Sequence, residues 1–385
     1  MKASKRSRID PFRVMDIFNQ ANALERQGHD IIHMEAGQPG TPAPESVLEA
    51  AKYALSTDKI GYKPLGLPQL RERIARYYGD VHGLDIAPSR IIITTGSSAG
   101  FILSFLALFD SGARIGLGAP YYPAYPNLLR VLGCDPVIIP TGPDSNYQLT
   151  AEHVTNSING CTPIELDGLI VASPANPTGS MLLKDELEAL VHLCGEQRIT
   201  LISDEIYHGI TYKHTAHTAL EFGSDVIVVN SFSKYYSMTG WRIGWLVVPE
   251  DMGRSFHRLD QNLYISAPAI SQFAALAAMD ARAELDEYVS VYARNRDLLL
   301  KELPKAGLKK FAPADGAFYL YADISHITDD SESFCNRMLN EIGVAATPGT
   351  DFDAGTRTSY VRFSYAGSHR EMASSADRLK KWLAP

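Results

Sequence analysis

Apolar side chains near the start of the chain recur at helical spacing. Phe12, Met15 and Phe18 lie three residues apart, which is the spacing of one face of a helix. Asp10 precedes a proline and is expected to cap this helix, and Gly28 is expected to end it. The pattern therefore predicts an amphipathic N-terminal helix.

Helical patterns over residues 44–56 and 68–82 give way to short, β-branched apolar runs that alternate with helical stretches. Continuous apolar runs bounded by turn residues are typical of strands that are buried on both faces of a parallel sheet. We therefore expect an α/β fold in which helices cover both faces of a mostly parallel sheet. The predicted strands cover residues 91–95, 135–140, 168–173, 199–203, 225–230 and 243–248.

The pattern changes after about residue 285. A long helical region is followed by an apolar run at 317–323, another helix, a second run at 359–366 and a closing helix. This order predicts a smaller α+β domain. We expect the large domain to cover residues 46–285 and the small domain to combine residues 286–385 with the N-terminal segment, residues 1–45.

Composition places the chain among ordinary globular proteins. Of its 385 residues, 45% are hydrophobic and 21% are charged, so disorder is not expected. A net charge of −8 offers no general attraction for nucleic acid or for an anionic membrane surface. The apolar stretches are too short to span a membrane and no C-x-x-C pair is present. We therefore expect a cytoplasmic protein without a metal site, with reduced cysteines at Cys134, Cys161, Cys194 and Cys335.

Ligands of open α/β sheets bind beyond the carboxyl ends of the strands, so the residues that follow each run are candidates for a site. After the first run, a GSSAG turn opens a helix. The backbone N–H groups near Ser97 and Ser98 are suited to bind an anion there. The motif matches neither of the usual glycine-rich phosphate motifs, and an ordinary helix cap is the simpler explanation of it alone.

Two further strand ends carry polar side chains. Asn176 in SPANPTG precedes a proline, which leaves its amide free to reach a ligand, although a plain turn also explains this motif. Asp204 ends the run ITLIS and Tyr207 follows three residues later, so a helical turn would bring both toward one region. A simple cap formed by Asp204 is the alternative.

A lysine follows the run VIVVN in the motif SFSK. Desolvation at such a place lowers the pKa of Lys234 and makes its amine a nucleophile or base, whereas most lysines are simply exposed. Ser231, Ser233 and Arg242 provide hydroxyls and a cation close to this lysine. These side chains are suited to hold a phosphate beside the lysine. The motif is long enough that chance agreement is not the expected explanation.

The second run of the small domain, SYVRFSYA, carries a charged residue in its middle. On a strand Arg362 lies on the face opposite to Val361 and Phe363. A guanidinium group there is suited to clamp a carboxylate, and an exposed strand arginine is the alternative.

These motifs resemble those of the class I/II aminotransferases of fold type I, the aspartate aminotransferase-like group. The most specific part is S-F-S-K with M-T-G-W-R-I-G, supported by N-P-T-G and D-E-I-Y, and the likeness covers nearly the whole chain. The resemblance implies the fold of type I pyridoxal-phosphate-dependent transferases. It also implies that Lys234 carries pyridoxal 5′-phosphate as a Schiff base. The implied activity is the transfer of an amino group between an L-amino acid and a 2-oxo acid with ping-pong kinetics.

The same resemblance implies a role for each matching residue. Lys234, Asp204 and Tyr207 are the implied catalytic residues, with Asp204 at the pyridine nitrogen of the cofactor. The resemblance also implies that Asn176 and Tyr207 form hydrogen bonds to the phenolic oxygen of the cofactor and that Tyr122 stacks on the cofactor ring. Arg362, the Gly37 backbone and Asn176 are implied to bind the substrate. The implied phosphate ligands are Ser97, Ser98, Ser231, Ser233, Arg242 and, from the neighbouring subunit of a homodimer, Tyr62.

Alternatives to transamination stay open at this level. A carbon–sulfur β-lyase on the same scaffold would use the same cofactor residues. A non-catalytic effector-binding module would need an additional DNA-binding segment. A nicotinamide oxidoreductase would need a glycine fingerprint that the sequence lacks.

Specificity for the substrate side chain is the least determined property. No position indicates a second arginine that binds a carboxylate. Ile17 and Phe18 suggest an apolar pocket, although the packing of an amphipathic helix also explains them. The histidines match no zinc motif, and a polar loop is the expected setting of His208, His214 and His217.

Overall fold

The computed structural model describes residues 2–57 and 60–384 of the chain. The helices, in chain order, are α1 Arg13–Arg26, α2 Glu45–Thr57, α3 Pro68–His82, α4 Gly96–Leu108, α5 Ala124–Leu132, α6 Ala151–Asn159, α7 Lys184–Gln197, α8 Gly253–Leu263, α9 Ala269–Ala278, α10 Arg282–Glu302, α11 Ser331–Ile342 and α12 His369–Trp382. The strands are β1 Ile32–His33, β2 Ile91–Thr94, β3 Arg114–Ala119, β4 Asp135–Pro140, β5 Gly168–Ala172, β6 Thr200–Asp204, β7 Ile227–Ser231, β8 Gly244–Val247, β9 Lys310–Phe311, β10 Tyr319–Asp323, β11 Val344–Ala345, β12 Thr347–Pro348 and β13 Tyr360–Ser364.

The larger sheet contains seven strands within the described residues, in the order β2-β8-β7-β6-β5-β3-β4. Strands β3 to β7 pair with one another in parallel, and β8 runs antiparallel to both β2 and β7. The predicted mostly parallel sheet is confirmed, and each predicted strand of this region is present. Because β5, β6 and β7 are parallel neighbours, their carboxyl ends meet at one edge of the sheet.

The sequence pattern does not predict β3. Two glycines interrupt its apolar residues, and glycine weakens a strand pattern. In the fold β3 lies between β5 and β4, where a Cβ atom on Gly116 would lie 2.7 Å from the Leu169 side chain. The close packing of neighbouring strands therefore requires the glycine that obscures this strand in the sequence.

Helices cover both faces of this sheet because successive side chains point to opposite sides. Ile170 and Ile202 pack with α4 and α5 on one face. Leu169 and Leu201 pack with α2, α3, α7 and α9 on the other face. The apolar runs are continuous for this reason, since neither side of the sheet is in contact with water.

A second sheet lies in the C-terminal part of the chain, with strand order β12-β13-β10-β9. A separate apolar core joins this sheet to α10, α11 and α12, and α1 contributes Ile17 and Ala21 to it. Strand β1 pairs in parallel with β11, so the N-terminal segment lies with the C-terminal part. The exact division at residues 45 and 285 stays a prediction.

The expected start of the N-terminal helix is wrong. Helix α1 begins at Arg13, and Phe12 rather than Asp10 is its N-cap residue. The side chain of Asp10 lies 3.5 Å from Arg130. The carboxylate that accepts the first helical N–H belongs to Asp351, in a short 3-10 turn at Gly349–Asp351. A distant residue caps the helix, which no local pattern indicates.

Candidate active site

A cavity of about 330 Å³ opens at the carboxyl edge of the larger sheet, where the N-terminal and C-terminal segments approach it. It brings together residues that are far apart in the sequence. Of the predicted site residues, the cavity is lined by Gly37, Ser97, Ser98, Tyr122, Asn176, Asp204, Tyr207, Ser233, Lys234, Arg242 and Arg362.

Two predicted site residues lie outside this lining. The hydroxyl of Ser231 donates to Ser233 Oγ at 2.9 Å and lies 3.2 Å from the Ile243 carbonyl oxygen. Tyr62 lies on the surface with 75% of its area exposed. The roles expected for both residues stay predictions.

Lys234 follows β7 and extends its amine across the cavity. Its Nζ donates a hydrogen bond of 2.5 Å to the Gly37 carbonyl oxygen. Desolvation by the surrounding protein lowers the pKa of Lys234 to about 8, and the charge of Arg362 acts in the same direction. About a tenth of this amine is therefore neutral at pH 7, far more than for an ordinary lysine, and the neutral form is the one that nucleophilic chemistry requires.

Asp204 ends β6 on the same edge and is buried. Tyr125 donates a hydrogen bond to its Oδ2 atom, and the Ile206 N–H donates to Oδ1 at 3.2 Å. Burial raises the pKa of Asp204 to about 6, against the effect of these two hydrogen bonds and of Lys234. The carboxylate is thus held in one orientation. Sequence reasoning missed Tyr125, although it lies three residues after Tyr122 at the start of α5.

The first turn of α4 faces the cavity beside Arg242. The N-cap residue of this helix, Thr95, makes no side-chain hydrogen bond to it, so the N–H groups near Ser97 and Ser98 are available for an anion. A Cβ atom on Gly96 would lie 2.6 Å from Arg242 Nη2, and Gly96 has a φ of +73°. Glycine is therefore required for the guanidinium to approach the helix end. This arrangement fits a phosphate group.

Arg362 lies on β13 at the opposite wall and is 3% exposed. Its Nη1 donates to Asn176 Oδ1 at 2.8 Å, and its Nη2 donates to the Glu35 carbonyl oxygen at 2.5 Å. Its Nε is buried without a hydrogen-bond partner among the residues that the structure describes. A buried, incompletely paired guanidinium favours the binding of a carboxylate from outside the chain.

Two tyrosines form a hydrogen bond close to Lys234, whose Nζ lies 5.9 Å from the centre of the Tyr207 ring. The hydroxyls of Tyr207 and Tyr319 lie 2.6 Å apart, and both side chains are buried. The Arg362 guanidinium lies over the Tyr319 ring at 4.5 Å. Sequence reasoning missed Tyr319, which is the third residue of the predicted strand 317–323.

The remaining wall of the cavity is apolar and comes largely from α1. Phe12, Met15 and Phe18 line it together with Leu128 of α5. Ile17 points away from the cavity into the core of the C-terminal part. The two explanations offered for Ile17 and Phe18 therefore apply to different residues, with Phe18 in the pocket and Ile17 in the core.

The expected polar loop around the histidines is wrong for one of them. His208 is buried, and its Nε2 lies 3.2 Å from the Ser173 carbonyl oxygen. Burial lowers the pKa of His208 to about 3. No group of three or more potential metal ligands occurs among residues 2–57 and 60–384. Within the same ranges, no helix is both long enough and apolar enough to cross a lipid bilayer.

Comparison with known proteins identifies the family. The family model for aminotransferase class I and II matches residues 29–379. A valine–pyruvate aminotransferase of Mycobacterium tuberculosis is 44% identical over 387 residues, covering 99% of this chain and 98% of that protein. An aspartate/prephenate aminotransferase of Thermus thermophilus is 35% identical, with 97% of each chain covered. The chain therefore belongs to the class I and II aminotransferases.

Solved structures agree with this assignment. The crystal structure of an aminotransferase from Mycobacterium tuberculosis superposes with a TM-score of 0.96 at 44% identity, covering 100% of this chain and 99% of that one. The expected fold and the aminotransferase activity are confirmed, and the lyase alternative is not favoured. Class I and II aminotransferases depend on pyridoxal phosphate and act on amino acids and 2-oxo acids.

Proposed function

We propose that the chain holds pyridoxal 5′-phosphate in the described cavity and transfers the amino group of an aliphatic L-amino acid to a small 2-oxo acid. The uncapped α4 terminus and Arg242 fit the phosphate, and the buried Asp204 carboxylate fits a pyridine nitrogen. Lys234 would attach the cofactor covalently through its Nζ. When bound, the cofactor supplies an electron sink for the electrons left by the Cα–H bond.

The residues of the chain then have separate tasks. Lys234 Nζ, once released by the amino acid, moves a proton from Cα because it has a lowered pKa and stands in the cavity. Asp204 keeps a proton on the pyridine nitrogen. Tyr207 and Asn176 orient the phenolic oxygen, and Arg362 holds the α-carboxylate of the substrate. Return of the enzyme to its starting form by a second 2-oxo acid gives ping-pong kinetics.

The apolar wall formed by Phe12, Met15, Phe18 and Leu128 carries the proposal on the substrate. Among the described residues that line the cavity, the cations are Lys234, Arg242 and Arg362, and each has a task at the cofactor or the α-carboxylate. An acidic side chain of a substrate would therefore meet an apolar surface without an ion pair, which is unfavourable. The 44% identical relative is named a valine–pyruvate aminotransferase, which supports valine and pyruvate as the pair to test first.

A panel of amino donors tests this proposal. Valine, leucine, aspartate and glutamate are each supplied with pyruvate, and the 2-oxo acid formed from the donor is measured. We expect kcat/KM for valine to exceed that for aspartate by about 10- to 200-fold. A Phe18→Arg variant is expected to lose valine turnover and to gain relative activity with aspartate. Equal kcat/KM values for valine and aspartate in the unmodified enzyme would contradict the proposed specificity.

We also propose that the enzyme is a homodimer in which Tyr62 reaches the phosphate of the neighbouring subunit. Large apolar side chains are exposed on two adjoining segments, Ile60 and Tyr62 on one and Leu263 and Ile265 on the other. A hydrogen bond of 3.4 Å from the Lys63 N–H to Ser266 Oγ joins these segments. A second copy of the chain would remove this surface from water. The cytoplasm is the proposed location, which the free cysteines support.

A further inference from the structure

Tyr319 lies between two groups that the proposed reaction uses. Its hydroxyl is 2.6 Å from that of Tyr207, and its ring lies beneath the Arg362 guanidinium at 4.5 Å. On the antiparallel pair β10–β13, Tyr319 lies opposite Ser364 and therefore diagonally across from Arg362, on the same face. The sheet register thus fixes both contacts at once.

Gly37 makes this position possible. A Cβ atom at residue 37 would lie 2.7 Å from the Tyr319 hydroxyl oxygen and 3.9 Å from Arg362 Nη1. The same glycine provides the carbonyl oxygen that accepts the hydrogen bond of Lys234. Tyr319 therefore packs directly against the segment that lines the reactive amine, and it is fully buried.

The direction of the bond between the two hydroxyls has a chemical consequence. A tyrosine hydroxyl has one proton to donate and can also accept. If Tyr207 donated its proton to Tyr319, that proton could not form a hydrogen bond with a ligand in the cavity. If Tyr319 donates, the oxygen of Tyr207 accepts and the proton of Tyr207 is free to bond a ligand. The cation above the Tyr319 ring favours this second arrangement, since it withdraws electron density from the phenol and strengthens it as a donor.

We propose that Tyr319 is a positioning residue of the transamination site: its hydroxyl donates to Tyr207 and directs the Tyr207 proton into the cavity, and its ring supports Arg362. The proposal rests on the proposed function, in which Tyr207 bonds the phenolic oxygen of the cofactor and Arg362 holds the substrate carboxylate. Tyr319 touches neither ligand in this arrangement and acts through the two residues beside it.

The conservative variant Tyr319→Phe separates the two contacts, because it removes the hydroxyl and keeps the ring. Without Tyr319 to orient it, the Tyr207 hydroxyl no longer donates steadily to the phenolic oxygen of the cofactor. That oxygen then becomes more basic, and the proton beside it, on the Schiff-base nitrogen of Lys234, is held more strongly. In the pyridoxal-phosphate-loaded enzyme we expect the midpoint of the pH titration of the visible absorbance to rise by about half a unit to one unit. We expect KM for valine to stay within about two-fold, because the ring still supports Arg362.

Tyr319→Leu removes the ring as well. We expect the same upward shift of the titration midpoint together with a KM for valine that is about 3- to 30-fold higher than in Tyr319→Phe. The matched control is Tyr321→Phe, because Tyr321 lies two residues along the same strand and its buried hydroxyl has no hydrogen-bond partner among the described residues. This control is expected to leave both the midpoint and KM unchanged.

The titration of Tyr319→Phe decides the proposal. A midpoint equal to that of the unmodified enzyme, or a shift of the same size in Tyr321→Phe, would overturn it. The proposed function fails separately, if the unmodified enzyme binds no pyridoxal phosphate and shows no visible absorbance. That result is read from the unmodified protein before any variant is compared.

Discussion

The carboxylate of Asp351 accepts a hydrogen bond of 3.0 Å from the backbone N–H of Arg13. This bond joins the first turn of α1 to a segment 338 residues away in the sequence. Because α1 and its N-cap residue provide Phe12, Met15 and Phe18 to the cavity, the position of the proposed side-chain pocket depends on a contact with the C-terminal part of the chain. The specificity of the enzyme and the docking of its N-terminal helix are therefore linked.

This link predicts the effect of Asp351→Ala. Loss of a helix cap costs about 1 kcal/mol, so we expect a lower free energy of unfolding in urea and a higher KM for valine. Asp10→Ala is the control, since the local pattern nominates Asp10 as the cap and its exposed side chain lies 3.5 Å from the Arg130 guanidinium rather than at the helix end. If Asp10→Ala proves the more destabilising of the two, the assignment of the cap is wrong.

The lowered pKa of Lys234 predicts how cofactor attachment depends on pH. The neutral amine is the reactive form, and its fraction rises as the pH passes the pKa of about 8. The rate of covalent attachment of pyridoxal phosphate to the cofactor-free protein should increase with pH and be half-maximal near 8, rather than near the ordinary lysine value. Borohydride reduction followed by mass spectrometry measures this rate.

Lys234→Ala serves as the control for that measurement. We expect no covalent attachment in the cavity and no turnover in this variant at any pH, since no other lysine lines the cavity among the described residues. A borohydride-stable adduct retained in the cavity of Lys234→Ala would disprove the assignment of the anchor.

Replacement of Asp204 should affect proton transfer more than substrate capture. For Asp204→Ala we expect kcat to fall by about two to four orders of magnitude while KM changes much less. Asp260→Asn is a matched control, because Asp260 is another buried carboxyl with a pKa raised by burial to about 6 and it does not line the cavity. Steady-state kinetics of both variants check the prediction, and equal losses in the two would remove the special role of Asp204.

Arg362→Lys tests the carboxylate clamp without removing the charge. A lysine cannot reproduce the forked geometry of a guanidinium. We expect kcat/KM to fall by about 10- to 150-fold, which corresponds to the loss of a charge-assisted hydrogen bond of about 1.5–3 kcal/mol. The loss should be similar for every amino donor, because all share the α-carboxylate. A loss confined to one donor would indicate that Arg362 contacts a side chain instead.

The proposed dimer predicts the effect of Ile265→Asp. Ile265 has a φ of +68°, a conformation that aspartate adopts more readily than a β-branched residue, so the fold of the variant should be preserved. We expect a monomer in light scattering and a strong loss of activity, because Tyr62 would no longer reach the partner's site. Ile327→Asp alters another exposed apolar side chain, 39% exposed, and should stay dimeric. An unmodified protein that is monomeric would contradict the dimer directly.

The apolar runs of the sequence were enough to predict the strands β2, β5, β6 and β7 and the chemistry at their ends. Their apolar runs are continuous because both faces of the sheet are buried, and the polar residues that follow them lie at the carboxyl edge by the rule of parallel sheets. Lys234 and Asp204 could be nominated for that reason alone. The order of the motifs was sufficient to identify the family.

The contacts that connect distant segments are visible only in the folded chain. The Asp351 cap of α1, the Tyr125 bond to Asp204 and the position of Tyr319 under Arg362 each depend on strand register or on packing between separate elements. The glycines of β3 interrupt the apolar pattern in the sequence, but in the sheet they allow the side chains of neighbouring elements to pack closely against the strand. Periodicity reports which face of an element is buried, but not which distant side chain it meets, because that partner is chosen by the packing of the whole chain.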